Sequence, residues 1–147
     1  MNSDGNMVSV LRQLTTNILV SGRIWRGLAQ QALAETGLGS NAAFGLFWIS
    51  HVGDGAKQIE IATEMGLTPA ALVRMIDQLE SLGLVRRQVD DLNRRANRIW
   101  LTEYGTHIVS RIHAILDDIQ GNLFGNCDAS QISSANTLFR SIMTKKE

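Results

Sequence analysis

The chain has one cysteine in 147 residues, so no intramolecular disulfide scaffold exists, and a lone Cys127 fits a reducing compartment such as the cytoplasm. Nor is there an excess of charge of either sign: 14 Lys and Arg balance 14 Asp and Glu. Global basicity therefore gives no argument for nucleic-acid binding, and any such argument must rest on local charge. No apolar run approaches the roughly 18 residues needed to span a bilayer, which argues against a membrane role. Residues 1–7 show no basic stretch followed by an apolar one, so no secretory signal is expected there. Gly-rich phosphate loops, nucleophile elbows and metalloprotease histidine pairs are also missing, so the reading is not an enzyme and no cofactor is implied. His107, His113 and Asp117 come nearest to a metal cluster. His113 and Asp117 share a helical face but His107 does not, so no metal site is assigned.

What the chain does have is helical periodicity. Over residues 8–34, Val8, Leu11, Leu14, Ile18, Trp25, Leu28 and Ala32 recur at steps of three, four or seven, which predicts a long amphipathic helix. Gly37, Gly39, Ser40 and Asn41 break it, and residues 42–52 resume as a short helix rich in aromatics and expected to be buried on most sides. After a turn at Gly53, Asp54 and Gly55, residues 58–65 read as a helix with Ile59, Ala62 and Met65 inward and Glu60 and Glu64 outward. Thr68 and the only proline, Pro69, suit an N-cap followed by the first helical position. The helix they start has Leu72, Ile76 and Leu79 on one side and Ala70, Arg74, Asp77, Gln78 and Ser81 on the other, and Gly83 is placed to end it.

Residues 84–89 and 97–101 are β-favouring and are joined by the polar stretch 90–96, which predicts a hairpin. Five arginines gather there: Arg86, Arg87, Arg94, Arg95 and Arg98. From Thr102 and Glu103 a helix continues, with Ile108, Ile112, Ile115, Ile119 and Leu123 recurring at steps of three and four. Gly125, Asn126 and Asp128 interrupt it before a last helix over 129–143. Cys127 falls in that interruption, where the acidic neighbour Asp128 disfavours a thiolate, so a redox role is not assigned.

Helix, short turn, second helix and arginine-rich hairpin form the order of a winged helix-turn-helix over residues 54–104. Such a second helix enters the major groove and reads base edges near its N-terminal end, which here means Thr68, Ala70, Ala71, Arg74 and Gln78. Arg74 has the fork for a guanine and Gln78 the amide for an adenine. A hairpin tip with Arg94 and Arg95 suits the adjacent minor groove, and the other arginines, Arg86 among them, are expected to meet phosphates. The same hairpin read alone is also a charged edge that discourages strand pairing.

The strings Gln58-Ile-Glu-Ile-Ala-Thr-Glu-Met-Gly66, Leu82-Gly-Leu-Val-Arg-Arg87, Asn93-Arg-Arg-Ala-Asn-Arg98 and Leu101-Thr-Glu-Tyr-Gly105 resemble the MarR family of bacterial transcription regulators, and its SlyA branch in particular. Arg23-Ile-Trp-Arg26 resembles the first helix of that branch. The resemblance implies a mainly α homodimer, a single domain over 1–147 with a winged helix-turn-helix and a two- to three-stranded wing. It also implies N- and C-terminal dimerisation helices, over 8–36 and 106–145, that interlock on a pseudo-palindromic double-stranded operator. By motif position Arg74 falls on a base-contacting arginine and Arg94 on the wing-tip arginine. One departure is Asn93, which stands where the family's wing carries an aspartate, leaving Asp90 or Asp91 to substitute. The resemblance further implies a pocket between the dimer helices and the winged region for a small aromatic carboxylate or phenolic ligand, with Trp25, Arg26, Trp48 and His51 as candidate lining. The other reading of the same fold is a protein-docking module without specific DNA binding.

Overall fold

The computed structural model describes residues 3–146; residues 1, 2 and 147, at the two ends of the expected 1–147 domain, lie outside the described residues. Six helices and a small sheet follow in the order α1 (Ser3–Leu33), a 3-10 turn (Ala34–Thr36), α2 (Ser40–Val52), β1 (Ala56–Lys57), α3 (Gln58–Met65), α4 (Pro69–Ser81), β2 (Val85–Val89), β3 (Asn97–Leu101), α5 (Glu103–Phe124), α6 (Ala129–Met143) and a closing 3-10 turn (Thr144–Lys146). The fold is mainly α, as the periodicities require. The chain divides into two compact units after Leu116.

In the first unit the core joins Ala29 and Leu33 at the end of α1 to Leu46 and Ile49 of α2, Leu72, Ile76 and Leu79 of α4, Ile99 of β3, and Ile108, Ile112 and Leu116 of α5, all buried. Small residues bring α2 close to α4: Ala42, Ala43 and Gly45 are buried, and a Cβ on Gly45 would overlap the thioether of Met75. Burial along α3 differs from the expected inward face. Ile61 and Ala62 are buried whereas Ile59 is 58% exposed. The start at Gln58 places Ile61 and Met65 one turn apart on the core side, and Ile59, two residues before Ile61, more than half a turn away from it.

The sheet has the order β1-β3-β2, both pairings antiparallel, with Ala56 opposite Ile99 and Arg87 opposite the same residue from the other side. β1 is a two-residue strand that directly follows the expected turn at 53–55, held by the Gly55 N–H donating to the Ile99 carbonyl at 2.8 Å. Thr102 joins sheet to helix: its hydroxyl donates to the Gly83 carbonyl at 2.6 Å and accepts from the Gly105 N–H at 2.9 Å, capping α5.

The second unit comprises the end of α5 and α6. The interruption expected at 125–128 is present, and α6 begins where Asp128 N–H donates to the Gln131 side chain at 2.9 Å. No residue of α6 is buried, and Phe124, Ile132, Ala135 and Phe139 line an open cavity of about 620 Å³ alongside Cys127. On α1, Val8, Leu11, Ile18, Leu19, Ile24 and Leu28 are likewise exposed. Each unit thus carries an apolar helical face that its own residues leave uncovered. Among the described residues no helix is long and apolar enough to cross a membrane.

Candidate nucleic-acid interface

Helix α4 is built to present one face. Thr68 caps it by accepting from the Ala71 N–H at 3.2 Å, Pro69 occupies the first helical position, and Gly83, at φ 71°, supplies the left-handed residue past its C-terminal end. Leu72, Ile76 and Leu79 anchor it in the core, which leaves Ala70, Arg74, Asp77, Gln78 and Ser81 exposed. Of the expected base-reading set, Arg74 and Gln78 project from this open face one turn apart and Ala70 lies beside its start. Thr68 is exposed with its oxygen engaged in the cap, and Ala71 is half-buried, so the first turn offers less side-chain surface than the sequence implied.

The wing is braced at its root and free at its tip. Asp90 is 1% exposed, and its carboxylate accepts from the Leu92 N–H at 2.8 Å while lying 3.1 Å from the Arg98 guanidinium and 3.8 Å from the Lys57 ammonium. The Leu92 N–H, then the charges of Arg98 and Lys57, hold its carboxyl below the usual aspartate range against the opposing effect of burial. Arg98 also donates to the Gly55 carbonyl at 2.8 Å, fastening β3 to the turn before β1. Across the tip, Asp90 N–H donates to Ala96 and Ala96 N–H to Asn93, and the Asn93 side chain accepts from the Arg95 N–H at 3.1 Å. Asn93 therefore closes the turn without orienting a guanidinium. A charged aspartate is present after all at Asp90, and the arginine it holds is Arg98, at the root of the wing.

The five arginines divide accordingly. Arg94 and Arg95 are exposed and form no ion pair among the described residues. Arg86 lies over the Trp100 ring at 5.5 Å and donates to Gln88 at 3.3 Å, still exposed. Arg87 and Arg98, expected to meet phosphates, are committed within the protein instead: Arg87 pairs with Asp77 and Glu80, and Arg98 with Asp90. Strand alternation carries the signal for this difference, since Val85 and Arg87 face α4 while Arg86 and Gln88 share the opposite side.

Between α1, α2 and α4 lies a cavity of about 220 Å³ lined by Trp25, Arg26, Gln30, Phe44, Phe47, Trp48 and Met75, with Met65 and Leu67 contributing from the end of α3. Three of the four expected ligand residues meet here. Trp25 tilts against Phe44 at 6.3 Å and the Arg26 guanidinium lies 5.9 Å from the same ring. His51 does not line the cavity; it stacks on Phe47 at 6.2 Å and meets Trp48 edge-on at 5.4 Å. Phe44 and Phe47, one helical turn from Trp48 and His51 on α2, are not among the expected lining residues, although their i, i+4 spacing to Trp48 and His51 is the signal for them, whereas Met75 arrives from α4 through tertiary contact alone. His113 packs edge-on against Phe47 at 6.0 Å, and no group of three metal-ligating side chains exists among the described residues.

Residues 40–96 match the model of the MarR family. The chain is similar to a MarR-family transcriptional regulator from Rhodococcus sp., with a TM-score of 0.78 and 27% identity over 89% of this chain and 92% of that one. It is similar to the same degree to CouR from Rhodococcus jostii, solved bound to p-coumaroyl-CoA, with a TM-score of 0.78 and 28% identity over 88% of this chain and 90% of that one. A mutant MarR from E. coli, solved complexed with operator DNA, shares the fold with a TM-score of 0.75 and 21% identity over 88% of this chain and 93% of that one.

Proposed function

We propose that the chain, whose residues 40–96 match the MarR family model, is a DNA-binding transcription regulator of that family and acts as a cytoplasmic homodimeric repressor on a pseudo-palindromic operator, relieved by a small aromatic acid or phenol. One observation carries the proposal: the outward Arg74 and Gln78 of α4 stand beside a braced wing whose tip holds the two uncommitted arginines, Arg94 and Arg95. An α-helix fits the major groove, and Arg and Gln read guanine and adenine there by paired hydrogen bonds. The wing tip then meets the neighbouring minor groove, where guanidinium groups are drawn to negative potential. Arg86, stacked on Trp100, is left with its charge outward for a phosphate.

The residues proposed to read DNA are Thr68, Ala70, Ala71, Arg74, Gln78, Arg86, Arg94 and Arg95, with Thr68 and Ala71 acting through the backbone of the first turn. Two copies are required because two half-sites about 34 Å apart need two α4 helices at a fixed separation. A ligand that favours a different separation releases the DNA by shifting the population of dimer conformations. The cavity beside Trp25, Arg26 and Trp48 supplies the chemistry for such a ligand: ring faces for stacking and a guanidinium for a carboxylate. That CouR binds an aromatic acyl thioester supports an aromatic effector, although the 220 Å³ here fits the aromatic group and not a whole nucleotide-bearing thioester.

Arg94→Ala tests the wing. Its affinity for operator DNA should fall, its melting temperature should stay within a degree or so, and the slope of log affinity against log salt should flatten by roughly one per subunit. Fluorescence anisotropy over a salt series measures all but the melting point. Unchanged affinity removes the wing from the interface.

A further inference from the structure

Helix α4 carries one cation, Arg74, and two anions, Asp77 and Glu80, so the helix offered to DNA has a net charge of minus one by itself. Asp77 lies on the exposed face beside Arg74, one turn along the helix, where a carboxylate opposes the approach of phosphates over the roughly 8 Å that charges reach at physiological salt. Arg87 answers both. Its backbone N–H donates to Glu80 at 3.1 Å, Nη1 donates to the other Glu80 oxygen at 2.8 Å, and Nη2 donates to Asp77 and to the Val73 carbonyl at 3.3 Å. The Arg87 side chain is 23% exposed against 57% and 40% for its two partners, so it sits beneath them as a bridge from β2 to α4.

We propose that Arg87 is a positioning residue for DNA binding: it neutralises the two carboxylates of the reading helix and turns Asp77 away from the DNA without touching a phosphate itself. The planar guanidinium suits the task because it has enough donors in a fixed fork to hold two carboxylates and a carbonyl together. Without it, Asp77 is free to swing toward Arg74, three residues before it on the helix, where it competes with DNA for the guanidinium and repels the backbone. Sequence position alone makes Arg87 look like another phosphate ligand of the wing; the bonds assign it the opposite direction, toward the protein. The proposal rests on the reading of α4 as the helix that faces DNA.

The test compares wild type, Arg87→Gln, and the triple variant Arg87→Met with Asp77→Asn and Glu80→Gln, each titrated over a salt series with the preferred operator duplex. Arg87→Gln should lose at least about tenfold in affinity, because two unneutralised carboxylates then face the phosphates. The triple variant, which lacks Arg87 but also the charges it neutralises, should bind within about threefold of wild type with the same salt slope. Thermal melts distinguish this from a purely structural role, in which the loss in Arg87→Gln comes with a matching fall in melting temperature that the triple variant also recovers. A triple variant that stays about tenfold weak, with a slope shallower by roughly one per subunit, shows that Arg87 meets a phosphate and overturns the proposal. The triple variant leaves no charge unpaired, so it decides the question even where Arg87→Gln alone fails to fold. A wild-type protein with no salt-dependent affinity for any duplex defeats the reading of α4 as the DNA helix, and is distinguished from failure of the Arg87 proposal by appearing before any substitution is made.

Discussion

Arg74→Ala is expected to cost about 1–3 kcal/mol on the preferred operator and to erase the preference at one base pair in each half-site. The side chain is exposed on α4, forms no ion pair among the described residues, and stands one turn from Gln78 on a helix anchored by three buried residues. Its removal therefore leaves the helix in place and subtracts only what Arg74 touches. A bidentate contact to guanine discriminates against the other three bases, so the loss should be large on the preferred site and small on a site mutated at that position. Binding to a panel of single-base operator variants measures this. An equal loss on every sequence shows that Arg74 contacts the backbone only.

Phe139→Asp is expected to convert the proposed dimer into monomers and to abolish tight operator binding. Phe139 is 42% exposed on α6 and lines the open apolar cavity with Phe124 and Ile132, so an aspartate there is solvated in the single chain and leaves α6 intact. In a dimer that buries this face, the same aspartate is an unpaired charge in an apolar interface, which costs roughly 3–5 kcal/mol in each copy. The exposed apolar residues of α1 and α6 exceed what scattered surface hydrophobics need to explain, and interfaces that exist only as dimers are of this apolar kind. Sedimentation shows the oligomeric state, and operator affinity should fall with it, since a monomer holds one half-site alone. A Phe139→Asp protein that remains dimeric places the dimer interface elsewhere.

Much of this architecture is legible in the sequence because local chemistry dictates it. Thr68 with Pro69 starts α4, Gly83 ends it, Thr102 opens α5, and Gly125 to Asp128 divide the C-terminal helices, each through a backbone requirement that few residue types meet. The same holds for the exposure of Arg74 and Gln78, which follows from the spacing of Leu72, Ile76 and Leu79. Partners in tertiary space are the part that is not legible. Ile59 looks as apolar as Ile61, and only the start of α3 at Gln58 decides which of them is buried. Arg87 and Arg98 look like Arg94 and Arg95 until the strand register brings them to Asp77, Glu80 and Asp90. β1 escapes notice because two residues cannot show an alternation, and Met75 joins the aromatic cavity only because Gly45 lets α4 approach α2.

The proposed function requires that the protein read a two-fold symmetric DNA sequence with α4 and the wing. Selection of the purified protein against a random double-stranded library at about physiological ionic strength, with sequencing of the retained fraction, tests it most directly. The expected result is enrichment of an inverted repeat whose half-site centres lie about one helical turn apart. Folded, dimeric protein that enriches no motif contradicts it, and returns Arg94 and Arg95 to the role of a charged edge.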